Sequence, residues 1–362
     1  MRLRVVSAIL ALCAAAVLAA GGARAADPYY KGKRLTLLIN GAVGGPTDIE
    51  GRLFARHLGK HIDGEPAIIV QNREGAGGVV GATYMGEVAP RDGSMLGYFS
   101  GTAWNFVSEP ERWRVDLRAF EFIAYQSGTT IHFMRTDVEP GMRQPSDIAK
   151  AQGLIAGGLA VDNPKDVRLR LALDLLGVPH RYVTGYLSSM RARLALQRNE
   201  IHIFSDSPPT YRTAIEPTLV KSGEVMPVWY DSDGEGDSNR AAASLEGLNI
   251  VSFPTLHQTI RGASPSGPKW DAFRIIHNVN STLQRLVALP PGASPAAAAA
   301  LRAAVARLNQ DKQFAADAIK AIGFAADYET GPDIAARVRA LLVASPEVRA
   351  FVAEYIKSAQ KK

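Results

Sequence analysis

The chain has 362 residues, with 41 lysines and arginines against 35 aspartates and glutamates, and its formal net charge is +6. Its hydrophobic fraction of 47% and charged fraction of 21% are those of a globular protein, and its length favours two domains. The small positive excess suits an anionic small molecule and argues against nucleic acid, which binds a concentrated basic face.

The first 25 residues have the pattern of a secretory signal peptide. Arg2 and Arg4 precede an apolar run over residues 5–20, and Ala23-Arg24-Ala25 follows as a small-x-small cleavage site. We therefore expect cleavage after Ala25 and a soluble mature protein in the periplasm. The signal carries three arginines and no acidic residue, so three of the six net charges leave with it and the mature chain keeps +3.

Cys13 is the only cysteine and offers an alternative, a lipoprotein anchor. That alternative is disfavoured because Leu12 is large for the position before a lipidated cysteine and the apolar run continues beyond it. Loss of Cys13 with the signal would exclude disulfides, a thiolate nucleophile and cysteine-ligated metals from the mature chain. No later segment has the about 20 apolar residues of a membrane span.

Strand-like and helix-like segments alternate after the signal. The predicted strands are Leu35–Asn40, Ala67–Gln71 and Met95–Phe99, and the apolar spacing from Ile49 to Ile62 predicts a helix between the first two. A second helix begins at Gly75-Ala76-Gly77-Gly78. This βαβα order predicts a parallel sheet with helices on both faces.

A second set of similar segments begins near residue 122. Its predicted strands are Phe122–Tyr125, Ile131–Arg135, Leu154–Gly157, Arg181–Val183 and Ile201–Ser205. Helices are expected over about 166–176 and 188–198. The recurrence of strand, small-residue turn and helix predicts two similar α/β lobes.

The last third of the chain has a different pattern. Residues 231–267 are rich in Gly, Ser, Asp and Glu and predict a long connection with one apolar interruption over 248–253. Ser294-Pro295 supplies a helix cap and a first-turn proline, and an Ala/Leu/Val pattern predicts a long helix to about Gly323. Two shorter helices are expected from Pro332 and from Pro346.

Three strand-to-helix turns could hold an anion: Gly44-Gly45, Gly77-Gly78 and Gly157-Gly158. The first backbone N–H groups of a helix have no partner within it, and the positive end of the helix dipole lies behind them. For any one turn, a tight loop with a capped helix is the simpler interpretation. Three turns at equivalent strand ends favour binding, because ligands of open α/β sheets sit outside the carboxyl ends of the strands.

Other chemistries have little support. The Gly75–Gly81 segment is separated from its strand by four residues, unlike a dinucleotide fingerprint. Gly236-Asp237-Ser238 is similar to an esterase nucleophile segment but has no Asp-x-x-His partner. His57 and His61 have a metal-compatible spacing, but we expect surface residues there. We therefore expect no enzyme, no metal and no cofactor.

Three motifs together resemble the substrate-binding proteins of tripartite tricarboxylate transporters, the Bug or TctC-like family. They are Gly44-Gly45-Pro46-Thr47-Asp48, the segment Asn72-Arg73-Glu74-Gly75-Ala76-Gly77-Gly78, and Pro90-Arg91-Asp92-Gly93 before a strand. The resemblance implies a two-lobed periplasmic binding protein fold (α/β, type II, flytrap), each lobe a mostly parallel sheet flanked by helices. Lobe 1 would comprise residues 26–124 and 232–362, and lobe 2 residues 125–231.

The resemblance also implies a ligand site at the facing turns of the two lobes. The implied contacts in lobe 1 are Gly44, Gly45, Thr47, Asp48, Gly78, Ser100, Gly101 and Thr102. Those in lobe 2 are Ala156, Gly157, Gly158, Tyr186, Asp206 and Ser207. For Asp48, capping of its helix is the favoured role, because its charge should not face an anion.

The sequence departs from the family pattern at two turns. Val43 replaces the usual proline, and Leu159–Asp166 replaces a serine-rich segment. One hypothesis is that Lys165 or Arg168 pairs a second ligand carboxylate, or that Asp162 pairs an ammonium group. The alternative, which we favour, is a solvated helix start.

The function implied by the resemblance is capture of a small organic carboxylate and its delivery to the membrane subunits of a tripartite tricarboxylate-type transporter. The protein would act as a monomer, without nucleic acid. One alternative is the same module used as a periplasmic sensor for a membrane signalling protein. A second alternative is a periplasmic hydrolase, which the missing catalytic constellation disfavours.

Overall fold

The computed structural model describes residues 27–186, 188–234 and 242–360. The predicted signal peptide, Cys13 and the Gly236-Asp237-Ser238 segment lie outside these described residues. Within them, no helix combines the length and the apolar character that crossing a membrane requires.

The strands form two sheets. They are β1 (Arg34–Ile39), β2 (Ala67–Asn72), β3 (Met95–Phe99), β4 (Glu121–Gln126), β5 (Ile131–Arg135), β6 (Leu154–Gly157), β7 (His180–Val183), β8 (Ile203–Asp206), β9 (Val225–Tyr230), β10 (Arg285–Leu289) and β11 (Glu329–Thr330). The strand order is β11-β4-β10-β3-β1-β2 in the first sheet and β7-β6-β8-β5-β9 in the second.

Helices cover both sheets. They are α1 (Pro46–Leu58), α2 (Val79–Glu87), α3 (Thr102–Ser108), α4 (Pro164–Leu176), α5 (Ser189–Gln197), α6 (Pro208–Thr210, continued by a π-helix over Tyr211–Val220), α7 (Ala242–Leu245), α8 (Phe253–Arg261), α9 (Pro268–Asn280), α10 (Pro295–Leu308), α11 (Lys312–Ile322), α12 (Ile334–Leu341) and α13 (Pro346–Gln360). Short 3-10 turns occupy several of the remaining connections.

The two-lobed α/β architecture is confirmed, and most strands of each sheet run in the same direction, with an antiparallel minority that makes both sheets mixed. In the first sheet β1 pairs in parallel with β2 and β3, whereas β10 is antiparallel to both of its neighbours. In the second, β6 is parallel to β7 and β8, whereas β5 is antiparallel to β8 and β9. β5 and β10 each follow a passage of the chain between lobes, and such a passage carries no βαβ crossover to set the strand direction. The two-residue edge strand β11 is also antiparallel to β4, but it follows no such passage.

The chain passes between the sheets at different points from those that the sequence indicated. The expected boundary at 124/125 lies inside β4, and the passage to the second sheet is the segment 127–130. The expected return at 231/232 precedes α8, which packs on β9 and α4 of the second lobe. The return to the first sheet comes only with β10. Residues 231–267 are therefore not a plain connection, because α7 and α8 lie within them.

The expected long helix over 294–323 is two helices. Ser294 caps α10 by accepting the N–H of Ala297, as its position predicts. The Asp311 carboxylate accepts the N–H groups of Gln313 and Phe314 and so begins α11 anew. An acidic residue that satisfies free N–H groups starts a helix even inside an apolar pattern.

One hydrophobic cluster joins the lobes. It includes Phe99 and Leu286 of the first sheet, and Met134 and Val228 of the second. Helix α9 packs on α4 of the second lobe and on α3 and α13. Two further clusters lie within the individual lobes. The lobes therefore share buried apolar surface on one side and leave the opposite, strand-end side open.

Candidate functional site

A cleft of 810 Å³ lies at the carboxyl ends of the parallel strands, with residues of both lobes in its walls. The segments after β1, β2 and β3, together with β10, form one wall; the segments after β6 and β8 form most of the other. Its polar lining includes Thr47, Ser100, Asn105, Glu109, Arg112, Gln284 and Arg285 on the first wall and Thr130, Asp162, Asn163, Lys165, Ser189, Asp206 and Ser207 on the second. Ligands of open α/β sheets bind at such strand ends.

Part of the predicted contact set lines this cleft. The lining members are Thr47, Ser100, Gly101, Asp206 and Ser207. The predicted residues outside the lining are Gly44, Gly45, Asp48, Gly78, Thr102, Ala156, Gly157, Gly158 and Tyr186. Tyr186 packs, partly buried, against the core of the second lobe. Most of the others have structural partners that account for their residue types.

The turn before α1 is closed by Asp48. Its buried carboxylate accepts the Gly44 N–H at 2.8 Å, Arg52 Nε at 2.9 Å and Asn72 Nδ2 at 2.8 Å. Burial alone would raise the pKa of the Asp48 carboxyl, but these hydrogen bonds outweigh burial and lower it. The Gly45 N–H bonds the Ala42 carbonyl. The N–H groups of both glycines are thus committed within the protein.

Asn40, which follows β1, connects the ends of the neighbouring turns. Its amide oxygen accepts the Ser100 N–H at 2.9 Å, and its Nδ2 donates to the Ser100 carbonyl at 2.9 Å. A Cβ on Gly78 would lie 2.1 Å from that Nδ2, so only glycine fits beside Asn40. Asn40 was predicted as the last residue of a strand and not as part of the site.

Arg285, at the start of β10, lines the first wall and supports Ser100. Its side chain is 5% exposed, and its guanidinium forms a buried ion pair with Glu50 and donates to Ser100 Oγ at 3.2 Å. Burial opposes the charged form, but Glu50 outweighs it and raises the pKa of Arg285. Neither Glu50 nor Arg285 was predicted, because 235 residues separate them in the chain.

Dense packing explains Gly157 and Gly158 on the second wall. A Cβ at Gly157 would lie 2.2 Å from Ile201 Cδ1, and one at Gly158 would lie 2.1 Å from the Tyr182 hydroxyl. The Gly158 N–H bonds the Val183 carbonyl. These glycines allow close packing of the strand end rather than presenting donors to the cleft.

The N–H groups of the following turn are also occupied. The buried Asp166 carboxylate accepts them from Leu159 at 2.6 Å and Ala160 at 3.0 Å. Burial raises the pKa of Asp166, although Lys165 and the two N–H groups act in the opposite direction. The second turn therefore contains its own anion, as the first turn contains Asp48.

Side chains provide the remaining polar groups of the second wall. Asp206 accepts hydrogen bonds from Ser189 Oγ at 3.1 Å and Arg193 at 3.2 Å. Lys165 Nζ donates to the Ser205 carbonyl at 2.7 Å. Ser207 also lines the cleft. The second wall therefore contains the neutralised carboxylate of Asp206, the carboxylate of Asp162, a hydroxyl group and an ammonium group.

A buried polar network connects this wall to the segment between the lobes. The Asp231 carboxylate accepts Arg168 Nε at 2.7 Å and contacts His132 Nε2 at 2.8 Å. Arg168 also donates to the hydroxyl of Thr130 at 2.7 Å, and Thr130 lines the cleft. Arg168 itself is completely buried. The hypothesis that Arg168 meets a ligand carboxylate is therefore wrong, because Asp231 already neutralises it.

The same network contains a serine, a histidine and an aspartate. Ser205 Oγ lies 2.8 Å from His132 Nδ1, and His132 Nε2 faces Asp231. All three residues are buried; Ser205 and His132 are both 0% exposed. A nucleophile must reach its substrate, so this buried arrangement is a structural network. The His132 ring stacks on Trp229, with the ring centroids 4.4 Å apart.

No group of three metal-ligating side chains occurs among the described residues. His57 is buried rather than on the surface as expected, and its Nε2 lies 3.0 Å from Asp317 Oδ2. His61 Nε2 contacts Asp311 Oδ2, also at 3.0 Å. The pair of histidines thus connects α1 and the turn after it to α11.

No protein-family model and no curated protein matches the sequence. Solved structures do match its fold. They include a TctC solute-binding protein from Polaromonas, with 16% identity, TM-score 0.58, and coverage of 91% of this chain and 99% of that one. An adipate complex from R. palustris has 18% identity, TM-score 0.61, and coverage of 90% and 97%.

A third similar structure is MatC from Rhodopseudomonas palustris with bound malate, at 19% identity, TM-score 0.54, and coverage of 91% of this chain and 98% of that one. These identities are too low to transfer a function, but the near-complete coverage defines the architecture. The chain therefore has the two-lobed α/β fold of these solute-binding proteins.

Proposed function

We propose that the protein is a periplasmic solute-binding protein of the TctC type that captures a small organic carboxylate between its lobes. The 810 Å³ cleft carries the proposal: it lies at the strand ends of both lobes and exposes hydroxyl and basic groups. Ser100 and Ser207 offer hydroxyl donors, and Lys165 offers a positive charge. Adipate and malate in similarly folded proteins support the ligand class.

The proposed role is binding without catalysis, followed by delivery to the membrane subunits of a tripartite tricarboxylate-type transporter. When two lobes close around a ligand, a membrane partner can distinguish the closed, ligand-bound form from the open form. The N-terminal signal pattern supports export to the periplasm. Loss of ligand uptake in cells lacking this protein would support transport, whereas intact uptake with loss of a transcriptional response would support the sensor.

The ligand class is tested by thermal unfolding with mono-, di- and tricarboxylates, using sugars and amines of similar size as controls. At 100 times its Kd, a bound acid stabilises the folded state by about 2.7 kcal/mol and raises the melting temperature. The Ser100→Ala/Ser207→Ala double variant should lose most of this rise. A wild-type melting curve unmoved by every acid would refute the proposal.

A further inference from the structure

Lys165 lies in the first turn of α4 and lines the cleft. Its Nζ donates to the Ser205 carbonyl at 2.7 Å, lies 3.5 Å from Ser189 Oγ, and sits 4.3 Å from the centre of the Phe204 ring. These contacts hold a flexible side chain in one place at the second wall. An ammonium group has three N–H donors, so a third donor remains for a ligand.

Two acidic residues near Lys165 have other partners, and the third, Asp162, lines the cleft without an ion pair to Lys165. Asp166 accepts two backbone N–H groups, and Asp206 accepts Ser189 and Arg193. Within the described part of the chain, no carboxylate forms an ion pair with Lys165. Arg112 and Arg285, the other basic residues of the cleft, are paired with Glu109 and Glu50. Among the described basic residues that line the cleft, Lys165 is therefore the one without a carboxylate partner.

On the opposite wall, the environment of Ser100 orients its hydroxyl group. The Asn40 side chain forms hydrogen bonds with both the N–H and the carbonyl of Ser100. Arg285 donates to Ser100 Oγ at 3.2 Å. An oxygen that accepts from an arginine directs its own hydrogen elsewhere. Since Ser100 lines the cleft, that O–H is a donor available to an anion there.

We propose that Lys165 determines specificity by binding a second carboxylate of the ligand, while Ser100 donates to the first. This inference rests on the proposed function, since it concerns the same cleft. The lobes would then meet the two ends of a dicarboxylate with different groups: an oriented hydroxyl on one side and a localised charge on the other. Hydrogen bonds between charged groups are about twice as strong as neutral ones, so the second carboxylate should contribute measurably.

The test compares acids that differ by one carboxylate: glutarate with pentanoate, and adipate with hexanoate. Dissociation constants are measured by calorimetry for the wild type, Lys165→Met and Lys165→Arg. A charged hydrogen bond of about 1.5–3 kcal/mol corresponds to a preference of about 10- to 140-fold for the diacid. Lys165→Met should reduce this preference to nearly 1 without weakening the monoacid, and Lys165→Arg should retain part of it.

Lys320→Met, at an exposed position of α11, is the matched control and should keep the wild-type preference. Equal binding of monoacid and diacid to the wild type would overturn this inference and leave the proposed function intact. Equal weakening of both acids by Lys165→Met would also overturn it. If no acid binds the wild type, the proposed function fails and this inference fails with it.

Discussion

Glycine has two different roles in the turns around the cleft. Gly44 has φ +77°, a left-handed conformation that other residues rarely adopt, and a Cβ there would meet nothing within 4 Å. Gly158 lies outside that region, but a Cβ would fall 2.1 Å from the Tyr182 hydroxyl. Gly44 thus allows a left-handed backbone conformation, and Gly158 allows the Tyr182 ring to approach the backbone.

Gly158→Ala should destabilise the fold without any direct effect on a ligand. We expect a loss of about 1–3 kcal/mol, because the added methyl group overpacks against Tyr182. Urea denaturation measures the loss. In a Tyr182→Ala background the same substitution should cost less, since the clash is gone.

Gly45→Ala is the matched control for this prediction. Gly45 has φ −77°, and its added Cβ would meet only the Ala42 carbonyl, at 3.2 Å. We expect a smaller loss than for Gly158→Ala, because the contact requires a shift of only a few tenths of an ångström. Equal stability of Gly158→Ala and Gly45→Ala would refute the packing role of Gly158.

The residues of the site were only partly predictable from sequence, for a physical reason. A strand-to-helix turn of Gly, Thr and Asp identifies the edge of the first sheet where Ser100 lies. It does not show which donors remain available, because Asp48 and Asp166 satisfy N–H groups from within the chain. The Glu50–Arg285 contact depends on tertiary packing, which local patterns do not encode.

At the scale of elements, the passage between the lobes is held by charge as well as by packing. Asp231 follows β9, and its backbone N–H bonds the Thr130 carbonyl in the segment that joins the sheets. Its carboxylate neutralises Arg168 of α4 and contacts His132 of β5. Breaking a buried pair leaves an uncompensated charge, which costs more than the intact pair contributes.

Asp231→Asn should therefore destabilise the protein by about 3–5 kcal/mol, because Arg168 stays buried without its counter-charge. Asp137→Asn is the control: Asp137 pairs with Arg135, its side chain is 57% exposed, and its loss should cost at most about 1 kcal/mol. Urea denaturation at pH 7 compares the two. Similar stability of both variants would refute the prediction.

The same carboxylate gives the wild type a defined pH dependence. Burial alone would raise the pKa of Asp231, but the charges of His132 and Arg168 outweigh burial and hold the pKa well below the usual value of about 3.9. A depressed pKa stabilises the fold above the unfolded-state value and ceases to do so as the pH falls through the folded-state value. Below pH 4 the wild type should therefore lose stability faster than Asp231→Asn.

The element pattern shows where sequence reasoning succeeds. Three predicted strands have the observed bounds: Met95–Phe99, Ile131–Arg135 and Leu154–Gly157. A short apolar run with turn residues on both sides determines where a strand begins and ends. β10 and α9 were not predicted. β10 lies centrally in the first sheet through antiparallel pairing to β3 and β4, and such a position depends on long-range contacts.

At the scale of the whole molecule, the lobes are separate in sheet topology but continuous in their core. Phe273 of α9 stacks on Phe253 at 5.0 Å and on Trp270 at 5.2 Å between ring centroids, within the cluster that contains residues of both sheets. An apolar contact of this extent between lobes should couple their unfolding. A sequence that predicts two lobes does not reveal this coupling.

The protein should consequently unfold in a single transition. Its four tryptophans, Trp104, Trp113, Trp229 and Trp270, belong to the shared cluster or pack against it, so fluorescence reports the cluster and circular dichroism reports the whole chain. Both midpoints in urea should coincide.

Phe273→Ala should lower both together, at a cost of about 3–5 kcal/mol for a buried phenylalanine. Phe351→Ala, at a half-buried position of α13, should cost less. A fluorescence transition at lower urea than the dichroism transition would show that the shared cluster opens before the lobes, and that the two lobes are independent folding units.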